Sequence, residues 1–445
     1  MNHAYPQQLA AYVYKLWNSV KASPSDGEGA YSAGRFDVLP TLPLLESLLS
    51  ICYQASLLRE EERQVTFRIL VGSSDLFSSE DGPPNGLHRL NFTELIPLTA
   101  HELRRLSPGA SFHRSLIGVS LERNEGPQIW GILHSGPRWL HSMHGGRGFV
   151  PPLPPALVIN VTGPGHLEVC KGLATVGQLS EGRVIGSAMN VFESIWLQEF
   201  FAAIRAERLA LHAEASKKAT GWATLDPDFS RIVDQNMLKR MIAAIRAFNH
   251  GGTLIIVPPE RASQVFEKNS FLSLRYKFTE GECRARFRTL IVAVMNALAR
   301  SGVGLKDGRV IGWRDYAEST DLSIAQLDEA IFEMSHLVAA QSTIDGAVVM
   351  TKRFELLGFG AEIQSDLTTV SRVARALDLE GRCKLLESVN GVGTRHRSAY
   401  ALCHDLKDVL VIVISQDGGV RFINWRDDVV TYWDHQATFA FTARL

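Results

Sequence analysis

The sequence predicts an α/β protein: a mixed central β-sheet flanked by helices, preceded by a second, mixed α/β region. Three observations predict it. Apolar residues recur at helical spacing in several long segments, and short apolar runs bounded by Gly, Pro, Asn and Asp alternate with those segments. At 445 residues the chain exceeds one ordinary core, so two or three domains are expected. Apolar residues make up 45% and charged residues 21%, a globular composition that excludes disordered and fibrous classes.

Residues 1–190 open with helical patterns at Gln8–Val20 and Leu45–Leu58, separated by a Gly/Ser/Pro/Asp-rich stretch from Ala22 to Gly34. Short β segments come next at Val65–Val71, Ser115–Leu121, Gln128–Leu133 and Leu157–Val161, set apart by turn clusters such as Ser79–Asn85 and Pro151–Pro155. Residues 191–235 read as a long helix, about Val191 to Lys218, and a linker. Its expected apolar stripe is Ile195, Phe200, Phe201, Ile204 and Leu211, and its polar face is Glu199, Arg205, Glu207 and Arg208. A middle segment, 236–318, carries a helix (Asn236–Phe248), a buried strand (Thr253–Val257) and a helix (Glu282–Ser301). A short strand held between two helices favours one integrated α/β unit with the C-terminal region.

That C-terminal region, 319–445, reads more fully. Ser323 and Gln326 have capping-box spacing, and Ile324, Leu327, Ile331, Met334 and Val338 recur at helical intervals. A strand from Ile344 to Met350 and its return, Phe354–Ile363, form an expected hairpin. A helix is expected at Thr368–Leu377, another from Thr394 to Leu402, and a last hairpin from Val409–Ser415 and Val420–Trp425.

The charge balance, 46 basic against 47 acidic residues, gives no global field for nucleic acid or an anionic membrane, so phosphate recognition has to be local. The five cysteines (Cys52, Cys170, Cys283, Cys383, Cys403) are scattered without a CxxC pair and read as small buried hydrophobes in a reducing compartment. The N-terminal residues lack a basic segment leading into an apolar core, so no signal peptide is expected. The longest apolar stretches fall well short of the ~20 residues that cross a bilayer. A soluble, cytoplasmic protein is the expectation.

Two motifs carry chemistry. Thr394-Arg395-His396-Arg397-Ser398 comes after Gly391 and Gly393 at an expected helix start, where outward N–H groups and the dipole favour an anion. The threonine hydroxyl and guanidinium forks add directional donors for phosphate oxygens. Asp345-Gly346-Ala347 places a carboxylate at the mouth of a strand with little bulk around it, suited to a divalent metal and a ribose hydroxyl; alone, it is also an ordinary Asp-Gly turn. His134, His141 and His144 share a stretch but lack acidic or cysteine ligands nearby. Gly163-Pro164-Gly165 leads into a β-like segment and so is no phosphate loop. Cys403-His404-Asp405 are adjacent residues that point in different directions and form no triad.

Across about residues 320–430 these motifs, with the Leu357-Gly358-Phe359-Gly360 return and Ser415, resemble the diadenylate cyclase (DAC) domain. The resemblance implies a DAC-like α/β fold that condenses two ATP into cyclic di-AMP and pyrophosphate. It implies that Asp345 binds Mg²⁺ or Mn²⁺ and activates the 3′-hydroxyl, and that Arg395, His396 and Arg397 are catalytic with it. Gly346, Ala347, Ile363, Thr394, Arg395, His396, Arg397, Ser398 and Ser415 would bind nucleotide, with Ile363 against adenine. The family commonly has Ser-Glu-Glu at its third motif. This chain has Ser415-Gln416-Asp417, so Asp417 is the second expected metal ligand, and the stretch between Asp345 and Thr394 is longer than in compact members. Because each centre in that family needs two facing domains, a homo-oligomer is implied. The N-terminal region is similar in layout to sensor modules that precede such domains, with an unknown signal. Two further readings stand beside the enzyme: a degenerate nucleotide-binding receptor, and a scaffold whose C-terminal domain only dimerises.

Overall fold

The computed structural model describes residues 3–20, 39–82, 86–122, 126–136, 139–140, 144–147, 153–180, 182–186, 189–219, 221–248, 250–267, 271–302, 309–364, 368–416 and 418–435. The Ala22–Gly34 stretch, His141 and Asp417 lie outside them. The described chain forms two compact units, one from residues up to 140 together with 153–186, the other from 144–147 together with 189–435. Both are mixed α/β, as expected from the sequence.

The first unit has helices α1 (Pro6–Leu16), α2 (Leu42–Ser56) and α3 (Ala100–Leu106). Its strands are β1 (Phe67–Val71), β2 (His88–Pro97), β3 (Ser115–Glu122), β4 (Gly126–His134), β5 (Leu157–Gly163), β6 (His166–Lys171), β7 (Ala174–Ser180) and β8 (Arg183–Ile185). They form one sheet in the order β8-β7-β6-β5-β1-β3-β4-β2. The helices bury Leu9, Val13, Leu45, Leu49 and Leu103 against Phe67, Ile69, Ile117, Ile159 and Val169 on one face. A buried polar chain lies off that core: Arg68 Nε donates to Asn160 Oδ1 at 3.1 Å, and Asn160 Nδ2 donates to Glu168 Oε2 at 2.9 Å. Thr175 donates to the same carboxylate at 2.6 Å, and the Arg68 guanidinium lies over Trp139. Gly163-Pro164-Gly165 forms the β5–β6 turn.

The second unit carries α4 (Ile195–Phe200), α5 (Ala202–Lys217), α6 (Phe229–Ala247), α7 (Glu282–Ser301), α8 (Trp313–Glu318), α9 (Leu322–Gln341) and α10 (Thr394–Asp405). Its strands are β9 (Gly252–Val257), β10 (Leu272–Lys277), β11 (Ala347–Thr351), β12 (Leu356–Ile363), β13 (Arg372–Ala376), β14 (Lys384–Ser388), β15 (Leu410–Ile414), β16 (Val420–Arg426) and β17 (Val429–His435). These nine join in one sheet, β10-β12-β11-β9-β15-β16-β17-β13-β14, and a separate short parallel pair joins Thr224–Leu225 to Val310–Ile311. Strands β9, β11 and β15 are buried along their whole length, which explains their unbroken apolar runs. One face packs Leu254, Ile256, Met350, Ile412 and Phe422 against α6, α7 and α9. The other packs Ile255, Val349, Val411 and Ile423 against Ala399, Leu402 and Cys403 of α10. The segments 191–235 and 236–318 and the described residues of 319–445 therefore belong to one unit, since β9 at the centre of its sheet comes from the middle segment.

Several expectations are corrected. The long helix from Val191 is broken: a 3₁₀ turn at Val191–Glu193 precedes α4, and Phe201 (φ −103°, ψ 2°) separates α4 from α5. Phe201 leaves the helical path to stack in the core on Phe354. The inward stripe of α5 is Ile204, Arg208 and His212, while Leu211 is exposed. Arg208, expected on the polar face, is buried because it meets Asp234 of α6 in a bidentate ion pair. The helix expected at Thr368–Leu377 is instead β13, because pairing in parallel with β17 and antiparallel with β14 overrides the local pattern. Helix α9 is capped by Asp321, which accepts from Ser323 N and Ile324 N, and not by Ser323. Cys52, Cys170 and Cys403 are buried, but Cys383 is exposed.

His435, at the end of β17, is buried; desolvation, with the nearby Lys239 and Arg246 cations, lowers its pKa to about 3. An unfolded histidine titrates near ~6.5. Below that pH the unfolded chain takes up a proton that the folded chain refuses, so this contribution is complete above ~6.5 and is lost progressively towards ~3. Denaturant unfolding should therefore show a stability that falls between pH 7 and 4.5, by at most ~1.4 kcal/mol per pH unit from this group. His435→Asn should flatten that slope; an unchanged slope would clear His435 of the role.

Candidate nucleotide site

Strand register decides which loops meet. Strand β9 runs parallel to β11 with Leu254 opposite Val348, and antiparallel to β15 with Gly252 opposite Ile414. Ala347 pairs with Ala361 of β12, and Ile363 pairs with Leu272. Asp345, Gly251, Ser415 and Ile363 consequently share one end of the sheet. Helix α10 brings its first turn to the same end: Arg395 Nη1 donates to the His250 carbonyl, just before β9, at 3.2 Å. The two sequence motifs, about fifty residues apart, thus converge.

Asp345 is exposed at the mouth of β11. Gly346 next to it has φ +111°, and an added Cβ would lie 2.6–2.8 Å from Gly360 C, Ala361 N and Ala361 O. The glycine is required by the close approach of β12, where the register shifts at a bulge, so its missing side chain leaves room for the neighbouring strand and not for a ligand. Ala347 is buried in the apolar layer beneath. Ile363 is half-buried at the end of β12.

Helix α10 begins after Gly393 without a side-chain cap and with no acid in its first turn. The first closing bonds run from His396 N and Arg397 N to the Gly393 carbonyl. Thr394 and Arg397 are exposed, while Arg395, His396 and Ser398 are half-buried. Cβ atoms placed at Gly391 or Gly393 would meet nothing within 4 Å, so the helix start faces open space. Outward N–H groups, open space and three basic side chains without an acid suit an anion rich in oxygen acceptors. The anion would offset the cost of cations at the positive end of the dipole.

Ser415 closes the β15–β16 turn, with its N–H and hydroxyl both donating to the Gly419 carbonyl, at 2.9 and 3.1 Å. Gln416 is exposed beside it. Arg246 of α6 approaches Gly418: a Cβ there would be 3.4 Å from Arg246 Nη2. Burial pushes the Arg246 guanidinium pKa down. Among the described residues no group of three or more His, Cys, Asp or Glu is placed to hold a metal ion. A lone exposed carboxylate still fits Mg²⁺, which commonly takes one or two protein carboxylates together with substrate phosphates.

Sequence reasoning misses His250 and Gly251. Gly251 (φ +71°) has no room for a Cβ, which would stand 2.6 Å from the Ile414 carbonyl and 3.0 Å from Arg395 Nη1. The Gly251-Gly252 pair at the head of an apolar strand is the available signal. Of the other candidates, His134 Nδ1 lies 3.0 Å from Ser115 Oγ. Cys403 faces the core while His404, on the next residue, meets Asp405 and Trp425, so no triad forms.

Residues 35–134, which span α2 to β4, match the family model described as "Probable sensor domain DACNV", the sensor region that stands N-terminal in DAC-type proteins. No curated protein and no solved structure matches the chain. The first unit thus contains a sensor-type domain. No helix among the described residues is long and apolar enough to cross a membrane.

Gly346→Ala should lower the stability of the second unit by about 1–3 kcal/mol, through a strained φ and contact with the β12 backbone. Urea unfolding monitored by tryptophan fluorescence checks this, and an unchanged midpoint would mean that β11 and β12 can separate without cost.

Proposed function

We propose that the second unit is a metal-dependent diadenylate cyclase regulated by the sensor-type domain before it. The observation that carries the reading is the convergence of Asp345, the first turn of α10 and Ser415 at one sheet end, in a chain whose N-terminal region matches a DAC-associated sensor. Thr394, Arg395, His396 and Arg397 would grip the triphosphate, with Ser398 and Ser415 as further donors. Ile363 would lie near the base, and Gly346 and Ala347 would set the backbone that presents Asp345. Asp345 would hold Mg²⁺ or Mn²⁺ jointly with the nucleotide phosphates; the ion, when bound, supplies charge neutralisation and lowers the pKa of the 3′-hydroxyl. Asp417, outside the described residues, is the second ligand proposed.

In each half-reaction the 3′-oxygen of one ATP attacks the α-phosphorus of the other. A P–O bond forms, the bond to the β-phosphate oxygen breaks, pyrophosphate leaves, and the hydroxyl proton passes to Asp345 or solvent. Two such steps close the ring. Catalysis rests on positioning and on preorganised donors.

One domain presents one Asp345 and one α10 start, so two bonds between two nucleotides need two facing copies. Exposed apolar side chains precede Asp345: Phe332, with His336 packed on it, and Leu337 on α9, then Ile344 beyond the helix end. We assign these side chains to the contact with the second copy. A nucleotide receptor without turnover is the alternative, favoured by the neutral, exposed Gln416 at the third motif.

Incubation of the protein with ATP and Mn²⁺, with products identified by mass spectrometry, tests the reading. A cyclic dinucleotide is expected from the wild type, and Asp345→Asn should cut its formation at least a hundredfold while leaving the fold intact. ATP bound but unchanged would decide for the receptor, and absence of binding would remove both readings.

Leu337→Asp should place a charge in the copy-to-copy face, raise the dimer dissociation constant at least tenfold by analytical ultracentrifugation, and make specific activity depend more steeply on enzyme concentration. A monomeric wild type with concentration-independent activity would overturn the facing arrangement.

A further inference from the structure

The main stretch of the second unit, from residue 189 on, begins with an eight-residue strap, Met189–Trp196, that comes directly after the last stretch of the sensor-containing unit to precede it in the chain. Its backbone is held by side chains from the far half of the sheet. The Glu380 carboxylate accepts from Ile195 N at 2.8 Å and Trp196 N at 3.3 Å. Val191 N donates to His435 Nδ1 at 3.2 Å, and the same ring is hydrogen-bonded to the Met189 backbone. Gln235 of α6 donates to the Phe192 carbonyl at 2.6 Å.

The strap's aromatic side chains continue the clamp. Trp196 stacks on Trp433 of β17 with centroids 4.4 Å apart, and both indole N–H groups donate to one carbonyl, that of Leu379, at 3.0 and 3.1 Å. Phe192 sits edge-on to Phe422 of β16 and to His435. Leu379 and Glu380 belong to the turn between β13 and β14, which Asp378 preorganises by accepting from Glu380 N, Arg382 N and Cys383 N. Gly381 in that turn lies against Trp433, where a Cβ would come within 2.8 Å of the indole.

These contacts end at the candidate site. Val420, the first residue of β16, pairs with His435 on one side and Ile414 on the other. Phe422 and His435, the two residues covered by Phe192, are therefore the root of the Ser415–Gly419 turn, and the Arg246 guanidinium of α6 lies beside Gly418 of that turn. Displacing the strap would uncover Phe422 and take from His435 its bonds to Val191 N and the Met189 backbone, freeing the turn that carries Ser415.

We propose that Met189–Trp196 is a regulatory strap: clamped by Glu380, Leu379 and His435, it fixes the Ser415–Gly419 turn, so that a change in the sensor unit is delivered to the candidate site through residue 189. An activity readout of the strap rests on the cyclase reading, but an exchange readout does not. The β13–β14 stretch that lengthens the interval between Asp345 and Thr394 acquires a role as the strap's dock.

The test is hydrogen exchange by mass spectrometry on the full chain, comparing the wild type with Glu380→Ala and Glu380→Gln. Glu380→Ala should speed exchange at Ile195 and Trp196 at least tenfold and across 414–423 at least threefold, while 254–257 in β9 is unchanged. Glu380→Gln, which keeps one carbonyl acceptor, should fall between the two and serves if the alanine variant fails to fold. With ATP and Mn²⁺, ATP affinity should stay within twofold while turnover changes at least threefold. A loosened strap with unchanged exchange across 414–423 would overturn the coupling, and an unchanged strap would overturn the clamp. The expected exchange pattern with no product from any variant would leave the coupling standing and remove the cyclase reading.

Discussion

The second unit depends on the neighbours of one strand. Strand β9 has a parallel partner on one side and an antiparallel partner on the other, with both faces buried. A strand buried on both faces cannot shift register without exposing apolar side chains or opening a cavity. The parallel pairing puts the start of β11 beside the start of β9, and the antiparallel pairing puts the end of β15 there too. Asp345 and Ser415 thus flank the start of β9 at one sheet end, although seventy residues separate them in the chain. The bond from Arg395 to the His250 carbonyl adds the helix start to the same end.

Register alone would not suffice, because three backbones crowd at that end. Glycine resolves the crowding at two points. Gly346 lets β11 pass within van der Waals distance of the β12 bulge, and Gly251 lets β9 turn between the Ile414 carbonyl and the Arg395 guanidinium. A methyl group at either point would occupy space already filled by backbone. The Asp-Gly-Ala motif can therefore be read mechanically: the glycine sets the strand approach, the alanine fills the apolar layer, and only the aspartate faces outward.

Much of this fold is legible in the sequence, and the parts that are not have identifiable causes. The strands buried on both faces announce themselves as continuous apolar runs, and the hairpins as runs separated by turn residues. Helix α10 is visible from Gly393 because nothing competes with its local pattern. Arg208 is misplaced by pattern alone because a buried arginine looks like a surface arginine until Asp234 of the next helix is known to face it. Strand β13 reads as a helix because its pairing partners, β14 and β17, are distant or weakly patterned; Leu385 and Leu386 of β14 are exposed. The break at Phe201 cannot be read locally, since Phe354, which draws the ring into the core, lies far along the chain. Sequence periodicity reports local faces, and each of these three misses involves a partner supplied by tertiary structure.

The candidate site is legible in its parts but not in its assembly. Its chemistry comes from charges placed against local preference: three basic side chains in the first turn of a helix that has neither cap nor acid there. Such a turn is costly with nothing bound, by ~0.3–1 kcal/mol for each cation near the dipole's positive end, and an oxygen-rich anion reverses the sign of that cost. An affinity for phosphate and the intrinsic cost of the empty turn would then be two sides of one arrangement. The turn at Ser415 is approached from behind by Arg246, beside Gly418, and its root is covered by Phe192, against Phe422 and His435. A surface left open for a ligand must be held by the layer beneath it, and beneath it here runs the segment that comes directly after the sensor-containing unit in the chain.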